Sequence, residues 1–166
     1  MANSIQTLSE RDRRLVAEWA VACVERVLWL FETENSSDER PRAAIARTRA
    51  FSLGELDAQS GIRQRFGGGG IKRGRLSPAA IAAARAAGQA SAICHMGAHA
   101  LGAAAYAVKA VSLSAPDRPE IAEEEIRWQL AQMTPEVAAA LRSLPQSEKT
   151  GQDLWGLVSL QQVNLL

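Results

Sequence analysis

Cysteine is scarce: Cys23 and Cys94 are the two thiols in 166 residues. Two cysteines build neither a disulfide framework nor a four-cysteine zinc site. A dominant charge is missing as well. Nineteen Lys and Arg oppose eighteen Asp and Glu, a net charge of +1. No global field therefore directs the chain to nucleic acid, a membrane surface or an acidic ligand. A long hydrophobic run is also lacking. The longest stretch without a formal charge, Ala86 to Val108, could span a bilayer by length. However, it is mostly alanine and carries Gln89, Ser91, His95, His99 and three glycines, polar groups that are costly in hydrocarbon. A buried core helix is expected there. Met1 to Glu10 holds no apolar stretch of the secretory kind. The expected compartment is a reducing cytoplasm, with neither thiol in a disulfide.

What is present is helical periodicity. Ser9 is a good N-cap, with Asp12 at the capping-box position. Val16, Trp19, Ala20, Cys23, Val27, Leu30 and Phe31 then recur at three- and four-residue spacing. That pattern predicts an amphipathic helix from about Glu10 to Glu32. Asp38 and Pro41 open a second helix, which runs to about Ala50. Ser52 is read as the cap of a short continuation through Leu56. Ser77 and Pro78 start an alanine-rich helix expected to reach Val111, with a kink near Gly88 or Gly97. Pro116 and Pro119 mark a connector. A further helix carries Ile121, Ile126, Trp128 and Leu130, with Glu123 to Glu125 near its positive dipole end. Thr134-Pro135-Glu136 opens a last short helix. Alternation of period two is absent nearly everywhere. The class is all-α: a single-domain bundle of five or six helices around a central Ala/Gly-rich helix. The expected boundaries are an N-terminal extension at 1–8, a helical domain at 9–144 and an apolar tail at 145–166. The tail, with Trp155, Leu157, Val158 and Leu160, is expected to dock on the domain or in a homodimer.

Between Gly61 and Arg75 the pattern breaks. The segment has five positive charges, no negative ones and four consecutive glycines. A flexible loop is expected. Its glycine amides with Lys72, Arg73 and Arg75 could cradle an anion. It is not a P-loop, because Ile71 precedes Lys72 and Arg73 follows it. Basic residues interleaved with aromatics would suggest nucleic acid, but only Phe66 is present, which argues against that partner.

On one continuous helix, Gly88, Ala92, His95, His99, Gly102 and Tyr106 would share a stripe. His95 and His99 are then i,i+4, a spacing that can hold a transition metal such as zinc. The segment His95-Met-Gly-Ala-His99 lacks the glutamate of the metalloprotease motif. The simpler expectation is two buried histidines bonded inside the bundle, with Tyr106 as a further partner and no cofactor. Cys94 is expected to be a buried structural thiol. Trp19 belongs to the core. Trp29 lies toward the flank and is expected to be partly buried; if exposed, it would be a candidate interface anchor.

Four stretches together resemble a bacterial family. They are Ser9–Leu15 with Trp19 and Cys23-Val-Glu-Arg26; Arg40-Pro-Arg42 through Ala50-Phe51 and Gly54; Ala84–Gly88 through His95, His99 and Ala105–Ala110; and Glu125 to Leu130. The chain is similar over roughly Ser9 to Leu144 to immunity proteins of bacterial polymorphic-toxin systems, the immunity-five-like domain. The resemblance implies an all-helical, non-enzymatic cytoplasmic protein that binds and neutralises a toxin protein. The glycine loop stands where the family would lead one to expect an alanine-rich helix. The alternative function is a metal- or small-molecule-binding bundle using His95, His99 and Tyr106, with an enzymatic role left open.

Overall fold

The computed structural model describes residues 7–64, 66 and 75–144. Among them all regular structure is helical, as the periodicity predicts. The described helices number eight rather than five or six: α1 Glu10–Glu25, α2 Trp29–Glu32, α3 Arg40–Ser52, α4 Ala58–Arg63, α5 Pro78–Ser91, α6 His99–Ser114, α7 Glu120–Ala131 and α8 Pro135–Arg142. The tail from residue 145 onward lies outside the described residues.

The helix starts are set locally. Ser9, Ser77 and Thr134 each place a side-chain oxygen under a backbone N–H of the first turn, satisfying donors the helix leaves orphaned. Asp38 Oδ1 accepts from Arg40 N at 3.2 Å. Ser52 does not cap the continuation; it ends α3 and donates to Arg49 O. Gly54, at φ +80°, turns the chain in a conformation that favours glycine, and Asp57 caps α4 by accepting from Ser60 N.

The extra helices come from breaks that the periodicity did not register. The expected 10–32 helix is interrupted at 26–28, where Val27 N and Leu28 N both bond to Val24 O. This tightened turn separates α2 from α1. The expected 78–111 helix is not one kinked helix. It folds back on itself through 92–98, so that Gln89 meets His99 and Gly102, and Arg85 meets Tyr106. An unbroken helix would be about 50 Å long and would leave its alanine surface without a partner. Folding back lets the small side chains of α5 and α6 pack against each other. At the turn, Gly97 N donates to Thr7 O, and the Gly97 backbone lies against Leu8.

The shortened Ala-rich helix α5 is still central. It packs on α1, α2, α3 and α6. The main core joins α1 residues such as Val16, Val24 and Val27 to the alanines of α5 and α6 and to Val137 and Leu141 of α8.

The glycine segment departs from a free loop at its start. Gly61 is a buried residue inside α4, against Cys94 Sγ. Phe66 is buried, and Ser91 Oγ accepts from its N–H at 3.0 Å and donates toward its carbonyl at 2.8 Å. Residues 65 and 67–74, with Lys72 and Arg73, lie outside the described residues. Arg75 is exposed just before α5.

Candidate functional site

The fold-back dismantles the expected histidine stripe. His95 sits in the turn and is exposed, so it is not a buried core residue. His99 is the first residue of α6 and is half-buried, with Nδ1 2.9 Å from Gln89 Oε1. Tyr106 shares a face of α6 with His99 and Gly102, and the Arg85 guanidinium lies 5.9 Å from its ring centroid. His99 and Tyr106 therefore remain on one face, and His95 does not join them. Among the described residues, no group of three His, Cys, Asp or Glu side chains is placed to hold a metal ion. Cys94 is buried, with Sγ 3.4 Å from Ser91 O.

A different polar cluster forms between α1 and α7. Trp19 and Cys23 of α1 and its C-cap residue Arg26 lie at i, i+4 and i+7, so they form one stripe. Glu125 and Gln129 lie at i and i+4 on α7. The Trp19 indole N–H donates to Gln129 O at 2.9 Å, and Gln129 Nε2 donates to Ala104 O of α6 at 3.0 Å. Arg26 Nε lies 3.1 and 3.3 Å from the two Glu125 oxygens, and its guanidinium lies 4.0 Å from the Trp128 ring centroid. Glu125 and Gln129 are 4% and 2% exposed, so each would be costly to bury without these partners. Burial holds the Cys23 thiol far above its ordinary range, and the Glu125 charge adds to the effect. A thiol so protonated and enclosed is no nucleophile. The seam joins α1, α6 and α7. Sequence spacing shows each stripe, but nothing in the sequence pairs them.

The residues that carry the family resemblance do similar work elsewhere. Arg14 donates to the carbonyls of Phe51 and Leu56, lies over the Phe51 ring and pairs with Glu10. This ties the first stretch to the second at the Gly54 turn.

The surface is distinguished by Trp29. It is 57% exposed rather than partly buried, while its neighbours Leu28, Leu30 and Phe31 are buried. The fixed neighbours hold its helix, so the indole is presented on a packed base. Two ion pairs between neighbouring helices lie along the same side. Arg42 meets Glu32 through two bonds of 2.7 and 2.6 Å, and Arg49 meets Glu25 at 2.5 Å. Arg42 and Arg49 are seven residues apart on α3, so the two pairs lie on one face of it, and Trp29 falls between Glu25 and Glu32 in sequence. A large aromatic with a satisfied polar rim is the chemistry of an interface anchor.

Among the described residues, no helix is long and apolar enough to cross a membrane. Residues 6–136 match the family described as Imm-5 like putative immunity protein. No curated protein and no solved structure gives a significant match.

Proposed function

The chain belongs to the Imm-5 like immunity family, and from that premise we propose that it binds a bacterial toxin protein in the cytoplasm and neutralises it by direct association, without catalysis. The family match over residues 6–136 is the observation that carries this reading. Two features of the molecule support it. Within the matched span, Trp19, Arg26, Glu125 and Gln129 are engaged in holding helices together. Trp29 is left outside, on a rigid base, where a partner with an apolar recess could receive it.

The test is co-expression with the toxin domain encoded in the same gene cluster. Wild-type chain restores growth and co-elutes with the toxin in a stoichiometric complex. Trp29→Ala weakens the complex by tenfold or more, because an interface anchor commonly contributes about 2 kcal/mol or more. Growth rescue with no complex at any concentration overturns neutralisation by binding. A complex untouched by Trp29→Ala keeps the function and removes this residue from the interface.

A further inference from the structure

The attachment of α7 differs in kind from that of the other long helices. Its apolar attachment is divided: Ala122 and Ile126 form a small cluster with Val108 of α6, with Leu130 packed against it, and Trp128 packs against the main core. That cluster is separate from the main core. The link from α7 to α1 runs through the polar seam: Trp19 to Gln129, and Arg26 to Glu125 and Trp128. Of these, the Arg26–Glu125 pair lies nearest to water, since the Arg26 side chain is 42% exposed while Glu125 is 4% exposed. Connectors with prolines bracket the helix, Pro116 and Pro119 before it and Pro135 just after Thr134. Behind the seam lies Cys23, 0% exposed and on the same α1 stripe.

We infer that α7 opens as a unit about its two connectors, that the Arg26–Glu125 pair is the latch, and that Cys23 meets solvent in this open state while the rest of the bundle stays folded. The physical argument is one of contrast. Separating α7 uncovers the Ala122–Ile126–Val108 cluster and the Trp128 face, a smaller packed surface than the one between α5 and α6, so hydrophobic burial opposes it less. The buried Glu125 and Gln129 oppose it more strongly, because their partners are fixed. Opening, however, returns both groups to water, which compensates much of that loss. The seam is thus a polar closure that water can replace. The alanine packing of α5 on α6 has no such substitute.

Cys23 is a built-in reporter of the opening. The experiment uses the full chain with Cys94→Ala, so that Cys23 is the single thiol. Its reaction with an aromatic disulfide reagent is followed at fixed pH across low denaturant, beside global unfolding by circular dichroism. The expected labelling rises with denaturant less than half as steeply as global unfolding does, since a local opening exposes less surface. Arg26→Met keeps the apolar stem and removes the latch, and speeds labelling at least tenfold. Arg26→Lys, a milder change, speeds it a few-fold. Gly97→Ala lowers global stability far from the seam and leaves native labelling within twofold of the parent. Labelling that matches the denaturant slope of global unfolding, or that accelerates equally in Gly97→Ala and Arg26→Met variants of equal stability, overturns the inference.

Discussion

Trp19 and Trp29 are the same residue type on adjoining helices, with opposite consequences for substitution. Trp19 is 4% exposed and donates to Gln129 O. Trp19→Phe removes that donor and part of a buried ring; we expect a loss of about 1–3 kcal/mol, read by urea unfolding. Trp29→Ala removes an exposed ring, and the same measurement should move by about 0.5 kcal/mol or less. Glu34 gives a pH-dependent counterpart. Its carboxylate accepts from the Ser77 hydroxyl and amide, and those bonds hold its pKa below the ordinary glutamate value. The folded state thus favours the charged form. The contribution is complete near neutrality and disappears as pH falls through the depressed folded value. Glu34→Gln should flatten the acid limb of a stability-versus-pH curve below about pH 4 and leave its alkaline limb unchanged. Cys23 works in the opposite direction. Its folded pKa is raised, so the neutral thiol's contribution is present below the ordinary value of 9.0 and is lost above it.

At the scale of elements, turns do what helix propensity could not specify. At the fold-back between α5 and α6, Gly97 lets Leu8 pack against the turn. A Cβ there would stand 2.5 Å from Leu8 Cδ1 and 3.1 Å from Leu8 Cβ, too close for the chain to absorb by rotating a side-chain tip. Gly97→Ala should cost about 1–3 kcal/mol in a urea melt through overpacking. Leu8 is itself held at φ 62°, a conformation that L residues seldom adopt. The segment after α4 is fastened in another way, by Ser91 bonding to the Phe66 backbone. Ser91→Ala leaves the buried Phe66 N–H without its partner. The expected outcome is faster tryptic cleavage after Arg63, followed by mass spectrometry, because release of Phe66 lets that segment enter the protease.

For the whole molecule, helix alone should account for the regular structure seen in a far-ultraviolet circular dichroism spectrum. A substantial strand signal would contradict the described architecture. The larger-scale pattern is a division of roles. Alanine packing between α5 and α6 builds a close interior, α1 joins it to α3 and α8, and α7 is joined through a polar seam. On the outer surface Trp29 is exposed, and its sequence neighbours Glu32 and Glu25 pair with Arg42 and Arg49 of α3.

Sequence by itself determined the helical class, the caps at Ser9, Ser77 and Thr134, the apolar stripe of α1 and the family. The caps and the stripe depend on residues within a few turns, where spacing and hydrogen-bonding capacity act without distant help, and the family is read from the order of residue types along the chain. Tertiary structure alone decided where the alanine-rich segment turns back, because alanine on every face gives a periodicity with no mark of its end. It also decided the fate of the histidines, since His95 and His99 share a face only on a continuous helix. The pairing of the Trp19–Cys23–Arg26 stripe with Glu125 and Gln129 was likewise hidden. Residues a hundred positions apart meet only after α6 has placed α7 across α1, and the desolvation that makes their bonds matter exists only once the bundle has closed.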